Sequence, residues 1–447
     1  MQEAVSSYNY LKLISLIDFD LWDTKRYTSK SITSSFTIVE LGTCIKEENK
    51  KYKLYEEENK DFGILGVNNK EGIFDAYVQK GKDINQAYKK MKVGWLAYNP
   101  YRINVGSIGI RLKEHKNEYI SPAYVVFSCN KNMLPEFLFL LFKTDTFNKI
   151  INESTTGSVR QNLTIDILKK LKIPLPSISE QVNIINVYNA KIKEARTLQN
   201  QAESLEYEIE KYFLEQLGLK PFTLKQRIYG LQTVFYTDLD RWDYFSSDNS
   251  INASLNKSIF PLSTIGQSFQ FAKRPFNKTT YKGTTFKYIE IGAIDPIKGI
   301  LEAKEIATSK APSRATQFVK ENDLIIGTTR PYLKKFAIVT KEYNNDVCSS
   351  GFSVIASNEN YHLPFLLQFL NCTYGVEQLK NRMTGGLYPA ITEPELKEIK
   401  IPFPSVEKQV EIMHLIDKKK EGILKNKSRI LAIEQEAEHS FEKAIFS

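Results

Sequence analysis

The chain repeats itself, and no other feature narrows its possible folds as much, because a fixed sequence offset marks a duplicated structural unit. Trp95-Leu96 and Arg102 align with Asp323-Leu324 and Arg330, which sets an offset of 228 residues. The same offset carries Thr156-Gly157 onto Thr384-Gly385, Leu163-Thr164 onto Ile391-Thr392, and Leu168 onto Leu396. It also carries Ile173-Pro174-Leu175-Pro176 onto Ile401-Pro402-Phe403-Pro404, and Gln181-Val182 onto Gln409-Val410. Near the N-terminus Asp18-Phe19-Asp20-Leu21-Trp22-Asp23 returns as Asp238-Leu239-Asp240-Arg241-Trp242-Asp243, at an offset of 220. Two copies of one module follow, roughly Asp18 to Gly218 and Asp238 to Phe446. Shared positions read as scaffold, and divergent ones as two different specificities.

Each copy has the same internal order. Short β-rich patches come first, among them Gly63–Val67, Ala123–Phe127, Lys287–Ile291, Leu324–Ile326 and Phe336–Val339, separated by Gly, Asn and Pro turns. A short apolar helix follows, Pro135–Phe147 or Pro364–Cys372, opened by a proline where its missing N–H costs nothing. A Pro-x-Pro strand end then precedes one long helix, Glu180–Leu217 or Lys408–Ile445.

The long helices carry a seven-residue rhythm: Ile416, Ile423, Ile430, Ala437 and Ala444 in the second, Tyr188, Ala195, Ala202, Ile209 and Gln216 in the first. Ile185, Ile192, Leu198, Leu205 and Tyr212, or Met413, Ile433 and Phe441, complete an apolar seam. Lys420 and Lys427 interrupt it, which favours a short helical pair over a regular supercoil. The alternative is that each helix lies on its own β-rich domain. A two-fold relation between the copies would make the pair antiparallel, a spacer with a β-rich head at either end. The expected fold class is therefore α+β: two β-rich domains in tandem repeat, each followed by a long α-helix, with the helices pairing as an antiparallel coiled-coil-like spacer.

At 447 residues and 42% hydrophobic content the chain is long enough for two or three cores. The longest apolar run, Phe137–Phe142, falls far short of the ~20 residues that cross a bilayer. The first residues, Met1 to Leu13, lack the basic segment, apolar block and cleavage site of a secretory signal. Cys44, Cys129, Cys348 and Cys372 lie far apart without a CxxC pair, which argues against a zinc ribbon or a disulfide framework and for a reduced, cytoplasmic protein. A net charge of +9 favours an anionic partner, nucleic acid first.

Catalytic signatures are sparse. No GxxxxGK[ST] loop is present, so the chain has no motor of its own; the pairs Gly63/Gly66 and Gly106/Gly109 read as turns between strands. His115, His362, His414 and His439 show no metal-binding spacing and read as surface residues. Asn99-Pro100-Tyr101 resembles the Asn-Pro-Pro-Tyr loop of adenine methyltransferases but lacks the second proline and any methyl-donor glycine loop. Asp295 with Glu302 and Lys304 resembles a nuclease carboxylate cluster, without equivalent acids in the first copy. The pattern points to a binding and positioning protein with no catalytic residues and no metal site.

Three loops offer nucleic-acid chemistry. Arg102 and Arg330 occupy one position in the repeat, within Tyr98-Asn99-Pro100-Tyr101-Arg102 and Thr329-Arg330-Pro331-Tyr332-Leu333-Lys334-Lys335. Guanidinium forks suit guanine edges and phosphates, and Asn or Gln suits adenine; a salt bridge at a strand end is the competing reading. The second loop, Thr155 to Asn162, holds Arg160, Gln161 and Asn162, matched by Thr384 to Ala390 with Tyr388. Its glycines permit close backbone approach, though a plain turn reads equally well. Lys273-Arg274-Pro275 is a third basic loop, whose default reading is a solvated charge run.

Two variable modules, each closed by Ile-Pro-hydrophobic-Pro-Ser, a Gln-Val pair and a long helix, with Thr-Gly upstream, resemble the specificity subunit of type I restriction-modification systems. The signature is fuller in the first copy, Ile173–Ser177 then Glu180-Gln181, than in the second, where Lys408 replaces the acid and Gly386 and Ala390 stand in place of Ser158 and Asn162. The resemblance implies target recognition domains at 1–177 and 219–404 and spacer helices at 178–218 and 405–447. It implies double-stranded DNA with a split target as ligand and two methyltransferase subunits as partners, with restriction and translocase subunits joining for cleavage. It further implies that S-adenosylmethionine and ATP with Mg belong to those partners, and that this chain needs no cofactor. Ile185, Ile192, Leu198, Leu205, Ile209, Ile416, Ile423 and Ile430 would pair the helices and meet partners. Two other functions stay open: a scaffold or decoy that binds methyltransferases without DNA, and a stand-alone nuclease or methyltransferase.

Overall fold

The computed structural model describes residues 32–154, 162–221 and 250–446. The Asp18–Asp23 motif and its mate Asp238–Asp243 lie outside them, as do Arg160 and Gln161. The chain divides into two compact units. One gathers the residues up to Arg196 together with Ile430–Ser447, and the other spans Thr197–Arg429.

The first unit contains strands β1 (Ile38–Glu40), β2 (Ile45–Glu47), β3 (Lys51–Tyr52), β4 (Asp61–Asn68), β5 (Gly72–Lys80) and β6 (Tyr88–Lys90). Next come β7 (Leu96–Tyr98), β8 (Ile108–Ile110), β9 (Tyr119–Ile120), β10 (Val125–Cys129) and, after a helical stretch, β11 (Lys172–Pro174). They form a β1-β11 pair, a four-stranded sheet β2-β10-β7-β8 and a five-stranded sheet β3-β6-β9-β4-β5. Gly63 and Gly66 lie inside β4 rather than in turns. A Cβ at Gly63 would meet the Asn117 side chain and one at Gly66 the Phe74 ring, so both are there for close approach. The turn belongs to Asn68, whose side-chain oxygen accepts from the N–H groups of Lys70 and Glu71.

Between the sheets and the long helix lie α1 (Pro135–Leu141), α2 (Asp145–Ser154) and α3 (Ile165–Lys170). The single helix expected over Pro135–Phe147 is thus broken. Thr144 interrupts it by accepting from Phe147 N–H through its hydroxyl, an N-cap that starts a second helix. Phe137, Leu138, Leu141, Phe127 and Tyr98 form the core of this unit with Phe441 and Ile445 from the end of the chain.

The second unit repeats the plan. Its strands are β12 (Leu262–Thr264), β13 (Thr285–Ile289), β14 (Ile294–Asp295), β15 (Gly299–Ile300), β16 (Lys304–Ala307) and β17 (Ala315–Phe318), then β18 (Leu324–Gly327), β19 (Phe336–Ile338), β20 (Val347–Ser349), β21 (Phe352–Ile355) and β22 (Lys400–Pro402). The β12-β22 pair keeps the register of β1-β11: Leu262 faces Pro402 as Ile38 faces Pro174. The sheet β19-β18-β21 matches β8-β7-β10. Both units carry one parallel pairing, β4 with β9 and β13 with β20, inside otherwise antiparallel sheets. The insertions differ, a five-stranded sheet in the first unit against β16-β13-β20-β17 and a β14-β15 hairpin in the second.

The long helices are α4 (Ile178–Gln216) and α10 (Val406–Ile445). The second unit also holds α5 (Ser250–Leu255), α6 (Ile265–Ser268), α7 (Leu363–Asn371), α8 (Thr373–Asn381) and α9 (Glu393–Lys397). Ser177 opens α4 two residues earlier than expected: its N–H and hydroxyl both reach the Glu180 carboxylate, and its oxygen accepts from Glu180 N–H. The two helices pair antiparallel. In the first unit Tyr188 meets Phe441 edge to face and the Lys191 ammonium reaches Glu436 at 2.7 Å. In the second, Glu206 takes Lys427 at 3.0 Å and Glu208 takes Lys419 at 2.6 Å, with Ile209, Ile416 and Ile423 buried between them.

The seam runs as the heptads indicate until its last step. Ala444 is exposed and Ile445 is buried instead. A straight helix drifts by about 20° per heptad, so over the four heptads from Ile416 the inward face moves on by nearly one residue. Of the interrupting lysines, Lys427 is neutralised by Glu206, whereas burial lowers the pKa of Lys420 against the opposing pull of Asp417.

Candidate nucleic-acid interface

In both units the site begins where a central strand of the repeat ends. After β18, Thr328 N–H donates to Gly351 O and Ile391 N–H returns to Thr328 O at 3.0 Å. In the first unit Leu163 N–H donates to Pro100 O at the same 3.0 Å. In the second copy the strand end and the Thr-Gly loop, widely separated in sequence, are therefore one site, and in the first copy the strand end holds Leu163, the matching position of the repeat.

The second copy shows how the site is held. Arg330 sits in the left-handed region, at φ 48°, and Lys334 does so at φ 55°. The Arg330 N–H donates to Pro389 O at 2.8 Å, and one guanidinium nitrogen donates to Leu387 O at 3.1 Å. The guanidinium lies over the Tyr388 ring, 5.2 Å from its centroid. Reciprocal bonds between Thr384 and Ala390, at 2.8 and 2.9 Å, close the loop beneath its tip. Arg330 braces the loop rather than reaching outward as an unengaged fork, and Tyr388 stands 74% exposed.

The remaining sequence candidates separate by burial. Tyr98 is fully buried and its hydroxyl donates to Leu163 O, so it ties the loop from inside instead of facing a groove; burial pushes its phenol pKa up. Asn99 is half-buried and spends its side-chain oxygen on Tyr101 N–H, a turn rather than a methyltransferase loop. Tyr101, at 57% exposure, and Arg102 are exposed beside it. Asn162 and Tyr332 are half-buried.

Arg274 is a correction. Its guanidinium grips Asp323 with two bonds, at 2.5 and 2.9 Å, and Asp323 is only 2% exposed on its side chain. Two like-positioned nitrogens matched to one carboxylate make a structural clamp. Lys273 beside it is exposed. Lys334 and Lys335 are likewise turned onto the protein, donating to Asn371 O and Ile294 O. The Asp295 carboxylate is occupied by Ile297 and Lys298 N–H groups, a turn and not a catalytic pair.

Of the helix residues, Ile185, Ile209, Ile416, Ile423 and Ile430 are buried, and Ile192, Leu198 and Leu205 half-buried. Ile185 shares a core with Phe441 of the other long helix, and Leu205, Ile209, Ile416 and Ile423 share one in the second unit. The glutamine that recurs in both copies of the repeat has a bonding role that its sequence position alone does not reveal. Gln181 accepts from Leu134 N–H and donates to Asn132 O and Pro176 O. Gln409 accepts from His362 N–H and donates to Pro404 O. Their recurrence after Pro-x-Pro in both copies was the available signal. His362 is also half-buried instead of solvated, and burial lowers its pKa against the pull of Asp417.

Among the described residues no helix is long and apolar enough to cross a membrane, and no three His, Cys, Asp or Glu side chains gather to hold a metal ion. All four cysteines are free thiols.

The two units define a class of duplicated α+β protein, one scaffold used twice with different insertions. The family model of the type I restriction modification DNA specificity domain matches residues 31–206 and 257–435, most of the chain, and the chain belongs to that family, whose members are non-catalytic DNA-recognition components. It is 26% identical over 183 residues to the specificity subunit of the type I restriction enzyme HindI of Haemophilus influenzae. That match covers 40% of this chain and 39% of the relative, so it spans about two fifths of the curated protein's length. Among solved structures, a chain from work on complex assembly and conformational transition of the type I R-M system aligns at TM-score 0.54. It is 14% identical, with 93% of this chain and 99% of that one covered, and supports the fold. The type I restriction-modification S subunit from M. genitalium is also 14% identical, with 94% of this chain and 97% of that one covered, at TM-score 0.45.

Proposed function

We propose that this chain is the DNA sequence-specificity subunit of a type I restriction-modification complex. Each unit reads one half of a bipartite duplex target, and the paired helices set the gap between the halves. The observation that carries this is the repeat of the loop-bearing scaffold with its internal bonds kept and its loop tips changed: Leu163 to Pro100 and Ile391 to Thr328 match bond for bond, while Gly157-Ser158-Val159-Arg160 faces Gly385-Gly386-Leu387-Tyr388 in sequence. Equal scaffolds with unequal tips suit two different half-sites, because base edges are read by side chains while the backbone fixes register. Tyr101, Arg102, Arg160, Gln161, Asn162, Lys273 and Tyr388 are the residues we assign to DNA, with Arg330 positioning Tyr388.

Methyltransferase subunits would dock on the helices. Val182 and Val410 occupy the same repeat position and are both exposed, at 42% and 46%, which supplies matching apolar contacts to two identical partners. In this reading S-adenosylmethionine sits on those subunits, and ATP and Mg on restriction and translocase subunits. The test is to co-express the chain with its methyltransferase subunit and map methylated adenines genome-wide. A split motif with a constant gap, absent without this chain, is expected; methylation that persists unchanged in its absence overturns the proposal. Removing one heptad from both long helices should change the gap, since half-site spacing follows protein geometry.

A further inference from the structure

Leu387 is 86% exposed and Tyr388 74%, the two highest values among the large exposed apolar side chains of the described residues, and they are adjacent. A surface leucine so exposed is ordinarily unremarked when it stands alone on a flexible loop. This one stands on a braced tip. The Thr384–Ala390 bonds close its base, Pro389 O and Leu387 O are both held by Arg330, and the Arg330 guanidinium supports the Tyr388 ring from one face. A Cβ at Gly386 would meet nothing within 4 Å, so the tip projects clear of its surroundings. The backbone of Arg330 is held left-handed, a conformation that a non-glycine residue keeps only when its neighbours over-determine it.

We propose that Leu387 is a wedge that enters a base step of the half-site read by the second module, with Tyr388 packed beside the opened step and Arg330 as the positioning residue. The inference rests on the specificity reading and deepens it by naming the mode of contact. Apolar side chains on rigid projections unstack a step and bend the duplex, which yields preference for deformable sequences without base-edge hydrogen bonds. DNA is favoured over a docked subunit by the contrast between the copies. Identical partner subunits would require like chemistry at both tips, yet the first copy has Ser158 and Arg160 where the second has Gly386 and Tyr388, and only the aliphatic pair Val159 and Leu387 is alike.

The experiment uses the full chain with its methyltransferase subunits and a duplex carrying the mapped target, with 2-aminopurine placed at successive positions. Brightening at one step of the second half-site is expected. Leu387→Ala should abolish it and weaken binding roughly tenfold, in keeping with what losing the burial of a leucine side chain costs, and Leu387→Met should retain it. Leu387 is too exposed for its truncation to unfold the unit, which a matching melting temperature would show. Arg330→Ala should also remove the brightening although both tip residues remain. Target binding without brightening at any position overturns the wedge, and so does brightening that survives Leu387→Ala. Weaker binding by Leu387→Ala with no optical change in the wild type would mean a groove contact such as a thymine methyl, and overturns it too. Loss of methyltransferase association with DNA binding intact would make the tip a protein contact, again overturning it. A wild-type complex without any target preference would instead sink the specificity reading itself.

Discussion

At the scale of single residues, charge type says less than what the charge is given to hold. Arg274 and Arg330 both lie in basic loops, yet one clamps Asp323 and the other braces Leu387 and Tyr388. Arg274→Ala would leave the buried Asp323 carboxylate without its counter-charge, a loss of about 3 kcal/mol. Denaturant unfolding of the second unit should therefore shift strongly, whereas an Arg274 that only touched phosphate would change affinity and its salt slope. His362 gives a pH dependence whose sign follows from its lowered pKa. The unfolded chain binds a proton near the ordinary value of 6.5 while the folded unit still resists it. Stability is full above that value and falls as pH drops toward the lowered one. Melting of the second unit at pH 7.5 and 5.5 should show the loss, and His362→Asn should flatten the profile.

At the scale of elements, the junction between strand and long helix is the best-conserved construction in the two copies. Gln181 and Gln409 are both fully buried, and each ties the Pro-x-Pro strand end to the chain entering a short apolar helix. Substituting either by Ala leaves buried main-chain groups without partners, at about 1–3 kcal/mol. Gln181→Ala should destabilise the first unit alone and Gln409→Ala the second alone, which hydrogen exchange would resolve by segment. The long helices and their pairing face were legible because a heptad pattern survives in sequence whatever surrounds it. The break between α1 and α2 was not, because it rests on the single hydroxyl of Thr144 in the short polar stretch Lys143–Thr146 between apolar residues. Gly63 and Gly66 misled for a related reason: only the cross-strand neighbours Asn117 and Phe74 show that they serve close approach.

At the scale of the whole molecule, the compact units do not follow chain order. The first is completed by Ile430–Ser447, whose Phe441 contacts Phe137 at 5.7 Å between ring centroids and whose Ile445 joins the same core. Phe441→Ala should thus cost about 3–5 kcal/mol in the N-terminal unit although it lies near the opposite end of the sequence. A calorimetric transition assigned to the second unit should stay where it was; a shift of that transition alone would contradict the assignment. The sequence by itself determined the duplication, the α+β class and the helix seam, because repeats and periodicities are local and additive along a chain. Only the tertiary structure decided that Tyr98 is a core residue, that Arg274 is a clamp and that Arg330 carries the tip holding Leu387. Each depends on a partner far away in sequence, Leu163, Asp323 or Pro389, and a side chain's role is set by what burial and hydrogen bonding bring to it.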